Sequence, residues 1–163
     1  MPPLWGGRVA KAADRSPHRT VTVTARCRRA GVRIADLRRA AARLLRLLDQ
    51  SDAELSVVLV DDPEMRRLNA TYRHIDRATD VLAFAMREGD GRGLHPDVLG
   101  DVVISLDTAA RQAAERGGTL EDEVRLLLTH GVLHLLGYDH ERSPADARKM
   151  FSRQRALLAQ LRE

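Results

Sequence analysis

Two histidines four residues apart, His130 and His134, constrain this chain more than any other sequence feature. On a helix this spacing places both imidazoles on one face, one turn apart. Gly137 follows three residues later. Because glycine readily adopts the left-handed conformation, it predicts the end of the helix and a reversal of the chain. His140 is then expected to approach the other two histidines from the side.

The three histidines together predict a catalytic metal site. The leucines and valines around them predict a buried helix, and a buried imidazole without a partner is costly. The stretch offers no fourth protein ligand, so one coordination position stays open for water or substrate. One Zn²⁺ ion per chain is the default because imidazole suits it, with Ni²⁺, Cu²⁺ and Fe²⁺ as alternatives.

The composition is that of a mildly basic chain without a membrane segment. The 163 residues suffice for one domain with a substantial core, and the net charge of +4, carried mostly by arginine, permits a nucleic-acid partner. The single cysteine, Cys27, excludes an internal disulfide and a cysteine-based zinc cluster. Because no apolar run is long enough for a membrane span or a secretory signal, we expect a cytoplasmic protein.

Hydrophobic periodicity predicts four strands and five helices. Residues 1–20, rich in Pro, Gly, Arg and Ala, predict a disordered N-terminal tail, and residues 87–96 predict an exposed loop. The predicted strands are 21–25, 54–60, 81–86 and 98–106, the last interrupted at Gly100 and Asp101. The first predicted helix covers 32–48. The other four are expected to begin at Asp62, at Asp107 or Thr108, at Thr119 and at Ser143, where capping residues or proline occur.

Helices between most of the strands predict a layered α/β or α+β fold. We expect a single domain over residues 21–163, built on a small mixed four-stranded sheet with helices on both sides. The connection between Met86 and Val98 lacks a helical pattern, so it predicts one antiparallel strand pair.

The spacing of the three histidines coincides with that of the metzincin proteases. Those enzymes carry a glutamate directly after the first histidine, where it serves as general base, whereas this chain has Gly131. The missing carboxylate disfavours hydrolysis of a peptide or amide bond, which we keep as an alternative. Gly131 either leaves room for a bulky substrate or allows close packing of backbone.

Three blocks of sequence resemble the YbeY family of ribosomal-RNA maturation factors. They are Leu68–Arg73 continued by Ala78–Phe84, then Leu99–Ser105, and finally His130–His140. Their order and spacing match the family from about residue 21 to the C-terminus. Ala83 stands where the family usually has Ser, and Ala85 where it often has Pro.

The resemblance implies a zinc-dependent endoribonuclease specific for single-stranded RNA, which acts on precursor small-subunit ribosomal RNA in rRNA maturation and ribosome quality control. It implies that His130, His134 and His140 hold the zinc and that Arg73 is functionally important. Arg73 and His130 are therefore the candidate catalytic residues, and Arg73 also the candidate substrate-binding residue. The expected partners are the small ribosomal subunit and its assembly factors, with neither membrane nor DNA.

Several assignments stay open from the residues alone. The general base is unassigned among Asp80, Asp101 and Asp139, each of which can instead orient a histidine. The alternative for Arg73 is a surface ion pair with Asp76 or Asp80. The alternative function is that of a non-enzymatic ribosome-assembly factor whose metal stabilises the fold.

Overall fold

The computed structural model describes residues 20–86 and 97–163. The predicted tail, apart from Thr20, and the predicted loop at 87–96 lie outside these ranges. The predicted elements are present, with bounds that differ by at most two residues where both ends were predicted. In chain order they are β1 (Val21–Ala25), α1 (Ile34–Leu47), β2 (Glu54–Val60), α2 (Asp62–Arg73), β3 (Val81–Ala85), β4 (Val98–Ser105), α3 (Leu106–Arg116), α4 (Leu120–Leu135) and α5 (Pro144–Arg162).

The strands form one mixed sheet in the order β1–β2–β4–β3. β2 is parallel to both β1 and β4, and β3 is antiparallel to β4, which confirms the predicted antiparallel pair. The predicted interruption of the last strand was wrong, because β4 runs through Gly100 and Asp101. The irregularity there is a shift in the register between β2 and β4: Glu54 pairs with Val98 and Leu55 with Gly100, so Leu99 of β4 has no counterpart on β2.

Helices cover both faces of the sheet, as predicted. One face packs under α1, α3, α4 and α5 and forms the larger core, in which Val57 and Val102 are fully buried. The other face packs under α2, whose Met65 and Leu68 contact a smaller cluster that includes Val103. Among the helices of the described ranges, none combines the length and the apolar character needed to cross a membrane.

Two of the predicted N-cap positions were wrong by one to three residues. α2 is capped by Asp61 instead of Asp62, and α3 by Ser105 instead of Asp107 or Thr108. In both helices the cap side chain accepts a hydrogen bond from the backbone N–H three residues later. The predicted caps of α4 and α5 are confirmed as Thr119 and Ser143.

Asp62 and Asp107 instead tie the start of α2 to the start of α3. Asp62 accepts hydrogen bonds from the hydroxyls of Ser105 and Thr108, each at 2.6 Å, and from the Arg111 guanidinium at 2.7 Å. Asp107 accepts one from the backbone N–H of Asp62 at 2.9 Å. Burial by itself raises the pKa of the Asp62 carboxyl, but its three donors outweigh burial and hold the pKa below the ordinary 3.8.

We expect Asp62→Asn to lower the free energy of unfolding by about 1–3 kcal/mol at neutral pH. A carboxyl whose pKa is lower in the folded state stabilises the fold above its unfolded pKa, and this contribution is lost as the pH falls through the folded pKa. The deficit of the variant should therefore be largest near pH 7 and shrink below the unfolded value of 3.8. Urea unfolding at several pH values measures this, and a deficit that is independent of pH would contradict it. Asp36→Asn, at an exposed ion pair with Arg39, is the control.

Candidate metal centre

The C-terminal half of α4 carries His130 and His134 on one face, as the spacing predicts. Their Nε2 atoms lie 3.1 Å apart, and their ring centroids 4.7 Å apart in an edge-to-face arrangement. Both side chains are partly buried. Two ring nitrogens of adjacent helical turns therefore point to the same small volume.

The chain reverses at Gly137, which has a φ of +95°. The N–H of Gly137 donates to the C=O of His134, and the N–H of Tyr138 donates to the C=O of Leu133, each at 3.0 Å. This pair of bonds is the Schellman motif, which confirms the predicted helix end. The reversal returns His140 to the site, with its ring centroid 5.2 Å from those of the other two histidines. One ligand nitrogen of each histidine lies within 4.8 Å of the others.

The electrostatics of the cluster suit a bound metal ion. Burial lowers the pKa of His130 and of His134 below the ordinary 6.5, so both imidazoles are neutral at neutral pH, the form that coordinates a metal. The Nδ1 of His140 is buried without a hydrogen-bond partner among the described residues, which is costly unless a ligand joins the cluster. Within the described ranges no carboxylate or thiol belongs to this group. An all-imidazole donor set fits Zn²⁺ and related ions.

Gln154, on α5, hydrogen-bonds to one of the metal-site histidines. Its side-chain oxygen lies 2.9 Å from Nδ1 of His130, and the Gln154 side chain is buried. Because Nδ1 then carries the proton, the lone pair of Nε2 is directed toward His134. The sequence analysis missed this residue. The sequence could have indicated it, because Gln154 follows Met150 by four residues and precedes Leu157 by three, so it lies on the same, buried face of α5.

The chain matches the family model of endoribonuclease YbeY over residues 23–162. It belongs to the endoribonuclease YbeY family. It is 50% identical to the endoribonuclease YbeY of Syntrophotalea carbinolica over 133 residues, which is 81% of this chain and 89% of the relative. It is 47% identical to that of Geobacter metallireducens, over 85% of this chain and 93% of the relative. The solution structure of a Thermotoga maritima protein aligns with a TM-score of 0.60 at 27% identity, over 86% of this chain and 88% of the other.

The close packing of Gly131 explains why this YbeY-family chain lacks the metzincin glutamate. A Cβ atom built on Gly131 would lie 2.8 Å from a methyl carbon of Val102 on β4 and 3.3 Å from one of Val81 on β3. Of the two interpretations of this glycine, close packing is therefore confirmed. A longer side chain at this position would enter the packed interface between helix and sheet instead of the metal site.

Asp139 and Asp80, two of the three aspartates considered as general base, have identified hydrogen-bond donors. Asp139 accepts a hydrogen bond from the backbone N–H of Glu141 at 2.9 Å, which stabilises the turn between α4 and α5. Asp80 accepts one from the backbone N–H of Val81 at 2.8 Å and one from the Gln112 side chain at 3.2 Å. The role of orienting a histidine, considered for these carboxylates, is filled at His130 by an amide instead.

Arg73 is the last residue of α2 and is exposed. The ion pair considered for it is not formed, because Asp76 binds Arg66 at 2.8 Å and Asp80 binds Gln112. Within the described ranges Arg73 forms no hydrogen bond or ion pair through its side chain. α2 packs on the sheet face opposite α4, so Arg73 and the histidines belong to different layers.

We expect Gln154→Leu to lower the affinity for Zn²⁺ by about 10- to 100-fold, because the variant loses the acceptor that fixes the tautomer of His130. Competition with a chromophoric zinc chelator measures the affinity. Gln154→Glu keeps an acceptor at this position and should retain tight binding. Gln160→Leu, an exposed glutamine on the same helix, is the matched control. Equal affinity of Gln154→Leu and wild type would show that Gln154 does not orient the ligand.

Proposed function

We propose that this chain is a zinc-dependent endoribonuclease that cleaves single-stranded RNA, including precursor small-subunit ribosomal RNA. The observation that carries the proposal is the convergence of three imidazoles in a chain of the endoribonuclease YbeY family. Three ligands from the protein leave a tetrahedral ion one position for substrate, which is the arrangement of catalytic zinc sites.

His130, His134 and His140 would hold the ion through their ring nitrogens. When bound, zinc supplies Lewis-acid chemistry at an oxygen of the scissile phosphodiester. Gln154 holds the His130 ring in the tautomer that exposes Nε2, since its oxygen lies 2.9 Å from Nδ1. We keep His130 as a candidate catalytic residue.

Arg73 is proposed to bind the RNA backbone and to stabilise the negative charge that develops on the non-bridging phosphate oxygens. A guanidinium makes bidentate hydrogen bonds to phosphate, and charge placed at a developing oxyanion stabilises the transition state. The exposure of Arg73 and the pairing of Asp76 with Arg66 support this role, because the guanidinium is available to a ligand.

The alternative, an assembly factor whose metal only stabilises the fold, is less well supported by the packing. The larger core consists of buried apolar side chains from α1, α3, α4, α5 and the sheet, whereas the three histidines are only partly buried at its edge. A fold with such a core does not depend on an ion for its stability, unlike small zinc-stabilised domains. We therefore propose a catalytic ion, and we expect chelation to leave the fold intact.

The proposed setting is small-subunit rRNA maturation and ribosome quality control in the cytoplasm. The proposed partners are the small ribosomal subunit and its assembly factors, and DNA is not a proposed substrate. The excess of Lys and Arg, 27 against 23 acidic residues, is compatible with such partners.

We expect the zinc-loaded protein to cleave a short single-stranded RNA. The His134→Ala variant, purified identically, should cleave it at least about 100-fold more slowly, because one of the three proposed metal ligands is missing. Gel analysis of an end-labelled RNA measures the rate, and circular dichroism after chelation measures the fold. His18→Ala, outside the family match, is the control. Equal cleavage by wild type and His134→Ala would assign the activity to a contaminant. Unfolding on chelation without any cleavage would favour the assembly factor.

Arg73→Gln is expected to reduce kcat/KM for RNA cleavage by about 10- to 1000-fold, because a charged contact to the reacting phosphate is lost. The zinc affinity should not change, since Arg73 is outside the histidine cluster. Steady-state kinetics separate a loss in kcat, expected from charge stabilisation, from a rise in KM, expected from binding alone. Arg46→Gln, another exposed arginine at a helix end, is the matched control. A kcat/KM equal to that of the control would remove Arg73 from the site.

A further inference from the structure

Phe151 is the large hydrophobic side chain that remains exposed within the described ranges, at 38% of its surface. It lies on α5 beside the histidine cluster. Its ring centroid is 5.6 Å from that of His140 and 6.2 Å from that of His130, to which it is inclined by only 27°. The aromatic ring thus lies against the histidine cluster, and about a third of the side-chain surface is open to solvent.

Two exposed arginines flank Phe151 on the same face of α5. Arg148 precedes it by three residues and Arg155 follows it by four, so all three lie along one stripe, about 10 Å from end to end. Neither guanidinium forms an ion pair with any residue that the structure describes. The neighbouring cations are engaged: Lys149 lies over the Tyr138 ring at 5.8 Å, and Arg153 donates to a backbone carbonyl of α1 at 3.5 Å.

Beyond its first turn, which carries Asp146, α5 is basic. From residue 147 to residue 162, α5 carries five basic side chains and no acidic one. An exposed aromatic ring between cations binds single-stranded nucleic acid well, because a base stacks on the ring while the guanidinium groups bind phosphates. An acidic protein partner would form ion pairs with the two arginines, but it would not offer the Phe151 ring a flat π surface to stack on.

We propose that Phe151 is a stacking platform for an unpaired nucleobase next to the phosphate that the histidine cluster receives, with Arg148 and Arg155 binding the backbone on either side. The inference rests on the proposed function and identifies a substrate subsite for it. It also gives a physical reason for single-strand specificity, because the bases of a duplex are already stacked on one another and do not reach the ring.

The experiment measures binding of the full-length, zinc-loaded protein to a fluorescein-labelled 2′-O-methyl RNA oligonucleotide, which lacks the free 2′-hydroxyl. Phe151→Leu keeps an apolar side chain but loses the π surface, and we expect its dissociation constant to rise about tenfold. Phe151→Tyr keeps the ring and should stay within about twofold of wild type. The zinc affinity and the melting temperature are measured for each variant and are expected to stay unchanged.

The flanking charges are tested by the salt dependence of the same binding reaction. Arg148→Gln and Arg155→Gln should each reduce the slope of log K against log salt by about 0.7, the value for one phosphate contact on a single strand. Arg38→Gln, an exposed arginine on α1, is the control and should leave the slope unchanged.

Three results would overturn the platform. The first is RNA binding by Phe151→Leu as tight as that of wild type, and the second is absence of RNA binding by wild type. The third is a loss of zinc affinity in Phe151→Leu that matches its loss of RNA affinity, because the ring would then act by protecting the bound metal from solvent. Failure of the nuclease proposal gives a different pattern. In that case wild type binds the oligonucleotide and Phe151→Leu does not, although no RNA is cleaved.

Discussion

The close approach of α4 to the sheet at Gly131 is the constraint on which the metal site depends. A residue without a side chain lies between Val102 and Val81, so the helix packs directly on β4 and β3. Alanine at this position would require Val102 to move, since its Cβ would come within 2.8 Å of a methyl carbon. Because dense packing resists such shifts, the distance of α4 from the sheet and its rotation about its own axis are fixed. The position of the neighbouring His130 is fixed with them.

The third histidine and the polar support of the site depend on the residues C-terminal to α4. The Schellman turn at Gly137 returns the chain so that His140 meets the other two rings. α5 then packs on α4 through buried residues and brings Gln154 to His130 and Phe151 to the edge of the cluster. A single helix therefore orients a metal ligand and presents an aromatic surface to solvent. The proposed metal binding and the proposed RNA recognition would therefore depend on the same packed helix.

Some arginines of this chain form ion pairs within the fold and others do not, a difference that the composition does not predict. One group is paired within the fold, as Arg111 with Asp62 and Arg66 with Asp76 show. Exposed ion pairs of this kind add little to stability, but they neutralise the surfaces on which they lie. Arg73, in contrast, has no such partner in the described ranges and lies at the end of α2. The net charge of +4 predicts neither group, because pairing is a property of the packed surface.

The sequence by itself determined the order of the helices and strands, the mixed sheet, the histidine cluster and the turn at Gly137. The helices, the strands, the histidine cluster and the turn depend on residues a few positions apart, whose periodicity and backbone preferences act locally. The mixed sheet was inferred from which pairs of strands have a helix between them. The tertiary structure decided which of two adjacent aspartates caps α2, because Asp62 finds its donors 43 to 49 residues away. It also decided that Gln154 orients His130 across 24 residues. Such pairs form only when separate elements pack together, and no local pattern encodes that packing.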